Sequence, residues 1–118
     1  MADRADTFGW DRALERYDDL IRDGWLHLAP MRQLIFELQV AEETRGLTAV
    51  TSMDRLLLSP YTCYPDWFEG RHVLIAPLWS GKVQVSWHPE RFCAPPTKVW
   101  LFEFPDVHAR VLRLAAEL

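Results

Sequence analysis

The stretch His72-Val73-Leu74-Ile75-Ala76-Pro77-Leu78-Trp79-Ser80-Gly81-Lys82-Val83-Gln84-Val85-Ser86-Trp87-His88 decides the fold. Two apolar, β-branched runs flank the turn sequence Trp79-Ser80-Gly81, so the segment reads as a β-hairpin. Face parity selects the loop. Val73 and Ile75 belong on one face with Val83, Val85 and Trp87, because a one-residue slip would bury Gln84 and Ser86 in their place. The register that satisfies this sets His72 opposite His88. It leaves a three-residue loop with Gly81 at the left-handed position that such loops require. The other face then carries Leu74, Ala76 and Leu78 against Lys82, Gln84 and Ser86, and is only half apolar. Pro77 has no N–H to give to a ladder, which predicts an edge strand or a bulge here.

The reading extends outward on both sides. Thr48-Ala49-Val50-Thr51-Ser52 and Arg55-Leu56-Leu57-Leu58-Ser59 are two short strands joined at Met53-Asp54 and ended by Pro60. Pro89, Pro95 and Pro96 bracket a loop, and Lys98 to Phe104 is a fifth strand, rich in β-branched and aromatic residues. Before the strands, Trp10, Leu14, Tyr17 and Ile21 mark one helical face from about Thr7 to Asp23, and Gly24 stops that helix. Asp18 and Arg22 form an i,i+4 pair on its polar face. Trp25 to Ala29 reads as extended. Pro30 suits the first position of a second helix, whose stripe is Leu34, Ile35, Leu38 and Ala41 and whose C-cap is Gly46. Leu34, Phe36, Leu38 and Val40 also alternate as a strand would, but the helix-forming residues of the segment favour helix. Pro105 and Asp106 open a last helix with Val107, Val111, Leu114 and Leu118 as its stripe, and Asp106 suits the positive end of its dipole. Residues 1–6 form a frayed tail. The whole is one α+β domain over 1–118, a two-layer sandwich. A five-stranded antiparallel sheet carries two N-terminal helices and one C-terminal helix.

Composition narrows the function classes. Hydrophobic residues make up 49% of the 118 residues and charged residues 25%, which suits a packed core and excludes disorder. The net charge is −4, with the basic residues scattered among the acids, so no basic stripe points to nucleic acid. No apolar run approaches the ~20 residues that span a bilayer, and the polar start lacks a signal peptide's apolar stretch. The expected location is the cytoplasm, where Cys63 and Cys93 stay free thiols.

Three constellations are candidates for chemistry. His72 and His88, with Cβ atoms about 5 Å apart, could share a metal completed by Cys63, Asp66, Glu69, Glu90 or Cys93. No Cys-x-x-Cys or His-x-x-x-His spacing supports that, so ordinary histidines and no cofactor are expected. Cys63 or Cys93 with a histidine base could act as a nucleophile, yet no local signature surrounds either thiol. The third is the segment from Ser59 to Gly70, with Tyr61, Tyr64, Trp67 and Phe68 beside Asp66 and Glu69. Large rings in a loop either fold back as a lid or stay available to a partner, and aromatic residues dominate interface hot spots. Trp79, at a turn tip, joins this binding set.

Small size, acidity, a load of six Trp and the α+β layout together resemble small bacterial immunity or antitoxin-type inhibitors of polymorphic toxins. The resemblance covers overall architecture, with no shared residue motif. It implies a non-enzymatic protein-binding domain that meets a toxin or other basic partner through an aromatic, mildly acidic surface. The alternative is a small enzyme or metal- or ligand-binding domain using His72 and His88. Self-pairing into a homodimer through the sheet face with Leu74, Ala76 and Leu78 is a further expectation.

Overall fold

The computed structural model describes residues 9–61, 66–90 and 95–118, apart from the side chains of Trp67, Phe68 and Pro105. Five strands form one antiparallel meander in the order β1 (Thr48–Ser52), β2 (Arg55–Ser59), β3 (His72–Pro77), β4 (Lys82–His88) and β5 (Lys98–Glu103). Three longer helices, α1 (Trp10–Arg22), α2 (Ala29–Gln39) and α4 (Phe104–Ala115), accompany a single turn, α3 (Asp66–Glu69). The architecture is the α+β one that the periodicities predict.

The hairpin pairs as face parity requires, with His72 opposite His88 and Pro77 opposite Val83. Its loop closes through Leu78 N–H to Lys82 O at 2.8 Å, and Gly81 has φ +92° with open space where a Cβ would stand. The edge assignment does not hold, because β3 lies inside the sheet between β2 and β4. Antiparallel residues alternate the side to which they hydrogen-bond. The Leu78–Lys82 bond sets the even-numbered residues of β3 toward β4, so Pro77 faces β2. Pairing with β2 runs only from Leu56 to Leu58, opposite Ile75 to Val73. Pro77 therefore sits beyond the reach of that ladder, and its missing donor leaves no bond unmade.

One face of the sheet is the core. Ala49, Leu56, Leu58, Val73, Ile75, Val83 and Val85 meet Ala13, Tyr17, Met31, Leu34, Ile35, Leu38, Val107 and Val111 from the helices. Trp10, Trp87, Trp100 and Phe102 pack half-buried around them. Helix α1 lies along β1. Gly9 N–H and Trp10 Nε1 donate to Ala49 O and Leu47 O at one end, while the Tyr17 hydroxyl donates to Asp54 O at the other. The helix therefore leaves the sheet at the end that also carries the β1–β2 and β3–β4 turns.

Four local expectations are corrected. Asp18 binds Arg32 of α2, and Arg22 binds Asp19, so the Asp18–Arg22 pair gives way to a tertiary one. Leu26–Leu28 is a 3-10 turn running into α2, where an extended segment is expected. Helix α2 ends at Gln39, well before Gly46. Ala41 is extended, Glu42–Thr44 is a 3-10 turn, and the buried Thr44 hydroxyl joins the Ala41 N–H in donating to Leu38 O at the helix end. Finally, Phe104 begins α4, so β5 stops at Glu103.

Candidate functional site

The residues expected to form a single aromatic and acidic surface are divided between two ends of the molecule. Tyr61 and α3 precede β3, whereas Trp79 follows it. Six residues of strand separate them by roughly 20 Å at about 3.4 Å per residue. Asp66 and Glu69 are exposed on α3. Tyr64 lies outside the described residues, as do Cys63, Cys93 and the side chains of Trp67 and Phe68. Tyr61 is tied down. Its hydroxyl accepts from Arg71 at 3.0 Å, the guanidinium lies 5.6 Å from its ring centre, and the ring occupies the space a Cβ on Gly70 would need.

Trp79 has the opposite character. It is 74% exposed at the hairpin tip, the inevitable result of placing a large ring in a three-residue loop. It is also not alone. His27 stacks on it with ring centres 4.1 Å apart and planes 27° apart, and Trp25 stands 5.1 Å away. Trp25 is 38% exposed and its neighbour Leu26 is 69% exposed. These four residues make an open aromatic and apolar ledge, built where the end of α1 meets the β3–β4 turn. Sequence reading finds Trp79 but misses its neighbours. Nothing in the local pattern around Trp25 says that a distant hairpin tip will come to rest on it.

The histidine pair is where the register predicts, and it is closed. His72 and His88 are buried, with rings stacked at 4.6 Å and only 8° apart. His72 Nδ1 donates to Gly70 O at 2.9 Å, and His88 Nε2 shares a hydrogen bond with Ser86 Oγ at 2.9 Å. Burial pushes the His72 imidazole below its ordinary pKa, opposed in part by the Gly70 bond and assisted by His88. Among the described residues no three His, Cys, Asp or Glu side chains gather as a metal would need. Glu90 is exposed after β4.

The sheet face opposite the helices is also less open than expected. Leu74 packs with Val50 and Leu57 and is buried, so the centre of that face is covered. Its exposed apolar residues are Val99 and Leu101 on the edge strand β5. Among the described residues no helix is long and apolar enough to cross a membrane.

Comparison with protein-family models, curated proteins and solved structures finds no match for this chain. Its function must be argued from the ledge, the buried pair and the cavities.

Proposed function

We propose that this chain is a non-enzymatic protein-binding domain that meets its partner through the ledge of Trp25, Leu26, His27 and Trp79. The observation that carries the reading is Trp79, an indole left largely in water yet held in place by stacking on His27. Isolated apolar residues on a surface need no explanation, but a contiguous aromatic patch marks an interaction site. Rings already stacked lose little further freedom on binding, so the ledge offers area at low entropic cost. The net charge of −4 favours encounter with a basic partner. An inhibitor of the immunity or antitoxin kind, acting on a bacterial toxin, is the specific form of this reading. The α3 carboxylates Asp66 and Glu69 would then act in long-range steering, since they lie at the other end of β3.

The test is affinity capture from the source cells with the parent chain and with Trp79→Ala and Trp25→Ala. The expected result is a partner retained by the parent and weakened at least tenfold, about 1.4 kcal/mol, by either substitution. An unchanged set of captured proteins would overturn the reading. So would stoichiometric zinc in the parent that disappears in the His72→Ala, His88→Ala double variant, which would favour a metal-binding function.

A further inference from the structure

The two edges of the sheet differ. At β1 the edge is closed, because α1 lies along it and Gly9 N–H donates to Ala49 O. At β5 it is open, with β4 its only partner among the described strands. An antiparallel strand bonds to its two neighbours through alternate residues, which fixes the groups that β5 leaves open. The Leu78–Lys82 bond turns the even-numbered residues of β4 toward β3, so Val83, Val85 and Trp87 bond toward β5, opposite Phe102, Trp100 and Lys98. Val99, Leu101 and Glu103 therefore present their N–H and C=O groups outward. Such a row is a template for another strand, and the devices that usually blunt it are missing. The register with β4 is unbroken over six residues, and no proline lies inside β5. Val99 and Leu101 also expose half of their side chains on the face away from the helices.

A groove of about 190 Å³ runs beside this edge on the helix face, between the start of β5 and the C-terminal half of α4. Trp87 and Trp100 wall it, and Lys98, Arg110 and Arg113 set three cations against one carboxylate, Glu117. That local balance is the reverse of the net charge of −4 carried by the chain. None of the three cations joins an ion pair with a described residue. Arg110 is half-buried, with its guanidinium 5.3 Å from the Trp100 ring centre and 5.9 Å from that of Phe102. A guanidinium stacked on aromatic faces keeps its edge donors free for a carboxylate.

We infer that β5 accepts a sixth strand from a partner, an extended segment that carries an acidic side chain between two apolar ones. Paired antiparallel, the segment exchanges main-chain bonds with Val99 and Leu101, the mode of strand addition. Its residue opposite Trp100 points to the helix face, where the carboxylate meets Arg110 and Lys98. The residues on either side of it lie against Val99 and Leu101 on the other face. A second copy of this chain fits less well, because its β5 would bring Lys98 and Arg110 up to their own counterparts. A neutral strand would leave the cations uncompensated. The groove lies at the far end of β4 from Trp79, so the inference does not rest on the ledge.

The experiment is an NMR titration of the intact chain, with amide hydrogen exchange measured at saturation. The probes are acetyl-Thr-Val-Glu-Val-Thr-amide and the same peptide with Gln or Lys at its centre. Saturable shifts along β5 are expected with the Glu peptide, at an affinity at least about threefold above that of the Gln peptide, as befits a half-exposed ion pair, and the Lys peptide should bind most weakly. The Val99 and Leu101 N–H groups should exchange more slowly in the complex, while that of Trp100, already bonded toward β4, should change little. The double variant Lys98→Gln, Arg110→Gln should erase the preference for Glu over Gln. Leu101→Pro removes an outward N–H that the fold does not use, so it should abolish binding while thermal melting still shows a folded chain. Absence of saturable shifts with the Glu peptide, equal affinity for the three peptides, unprotected Val99 and Leu101, or a preference that survives the double variant would overturn the inference. Protection of Val99 and Leu101 that rises with protein concentration alone would overturn it in favour of a second copy.

Discussion

Met53 shows how a single residue can carry a conformation its side chain does not favour. Two-residue hairpin loops need positive φ at their first position, and glycine, asparagine or aspartate usually supplies it. Here Met53 does so at φ 59°, with 74% of its surface exposed. Its side chain contributes almost no burial to offset the unfavourable backbone, while its carbonyl accepts from Arg16 whatever the side chain is. Met53→Gly is therefore expected to raise stability by about 0.5–1 kcal/mol in urea denaturation. His72 carries a different tension. Its folded-state pKa is lowered by burial against His88 of β4, so at mildly acid pH the unfolded chain binds a proton that the native state resists. Stability is full above the unfolded value of about 6.5 and falls as pH drops below it, because the unfolded state then holds more protons. Denaturation series between about pH 8 and about pH 5 should show this decline, and His72→Gln should flatten it. The register predicts the facing histidines, but their burial, and hence the direction of this slope, comes from the packing around them.

At the scale of elements, helix type and strand register were legible and helix ends were not. The stripe Leu34, Ile35 and Leu38 is buried as a helical period requires, with Met31 added to it. Gly46 looks like the natural cap, yet the helix stops at Gln39 because Thr44 turns back and bonds to Leu38 O. A hydroxyl that reaches several residues upstream leaves no local pattern to read. Thr44→Val keeps the shape and removes the donor, so it should cost about 0.5–1.5 kcal/mol in urea denaturation, the worth of one hydrogen bond, because Leu38 O keeps the Ala41 N–H as a partner, whereas Thr44→Ser should cost much less. Pro77 teaches a related lesson. Its missing N–H excludes a ladder bond, and an interior strand can obey that rule when its neighbour is shorter, as β2 is here.

For the whole molecule, the sheet sorts the six tryptophans by position. Trp10, Trp87 and Trp100 serve the core, while Trp25 and Trp79 meet on the surface. The side chain of Trp67 lies outside the described residues. The face expected to pair with a second copy has a covered centre, and its open apolar area is confined to Val99 and Leu101 on β5. A homodimer using that face should be dispersed by Leu101→Glu in sedimentation runs at micromolar concentration. Stability should change by no more than about 0.5 kcal/mol, because Leu101 is already half exposed. A dimer that survived the substitution would place self-association on another surface.

By itself the sequence determined the element types, the antiparallel meander of neighbouring strands and the register of the central hairpin. Each of these rests on short-range physics. Residue parity tells a strand which face to bury, a glycine permits the left-handed turn, and apolar spacing distinguishes helix from strand. Only the tertiary structure decided the functional surfaces. The ledge exists because the end of α1 and a distant hairpin tip arrive at one end of the sheet. Such junctions join residues far apart in the chain, and local periodicity carries no information about which of them will meet.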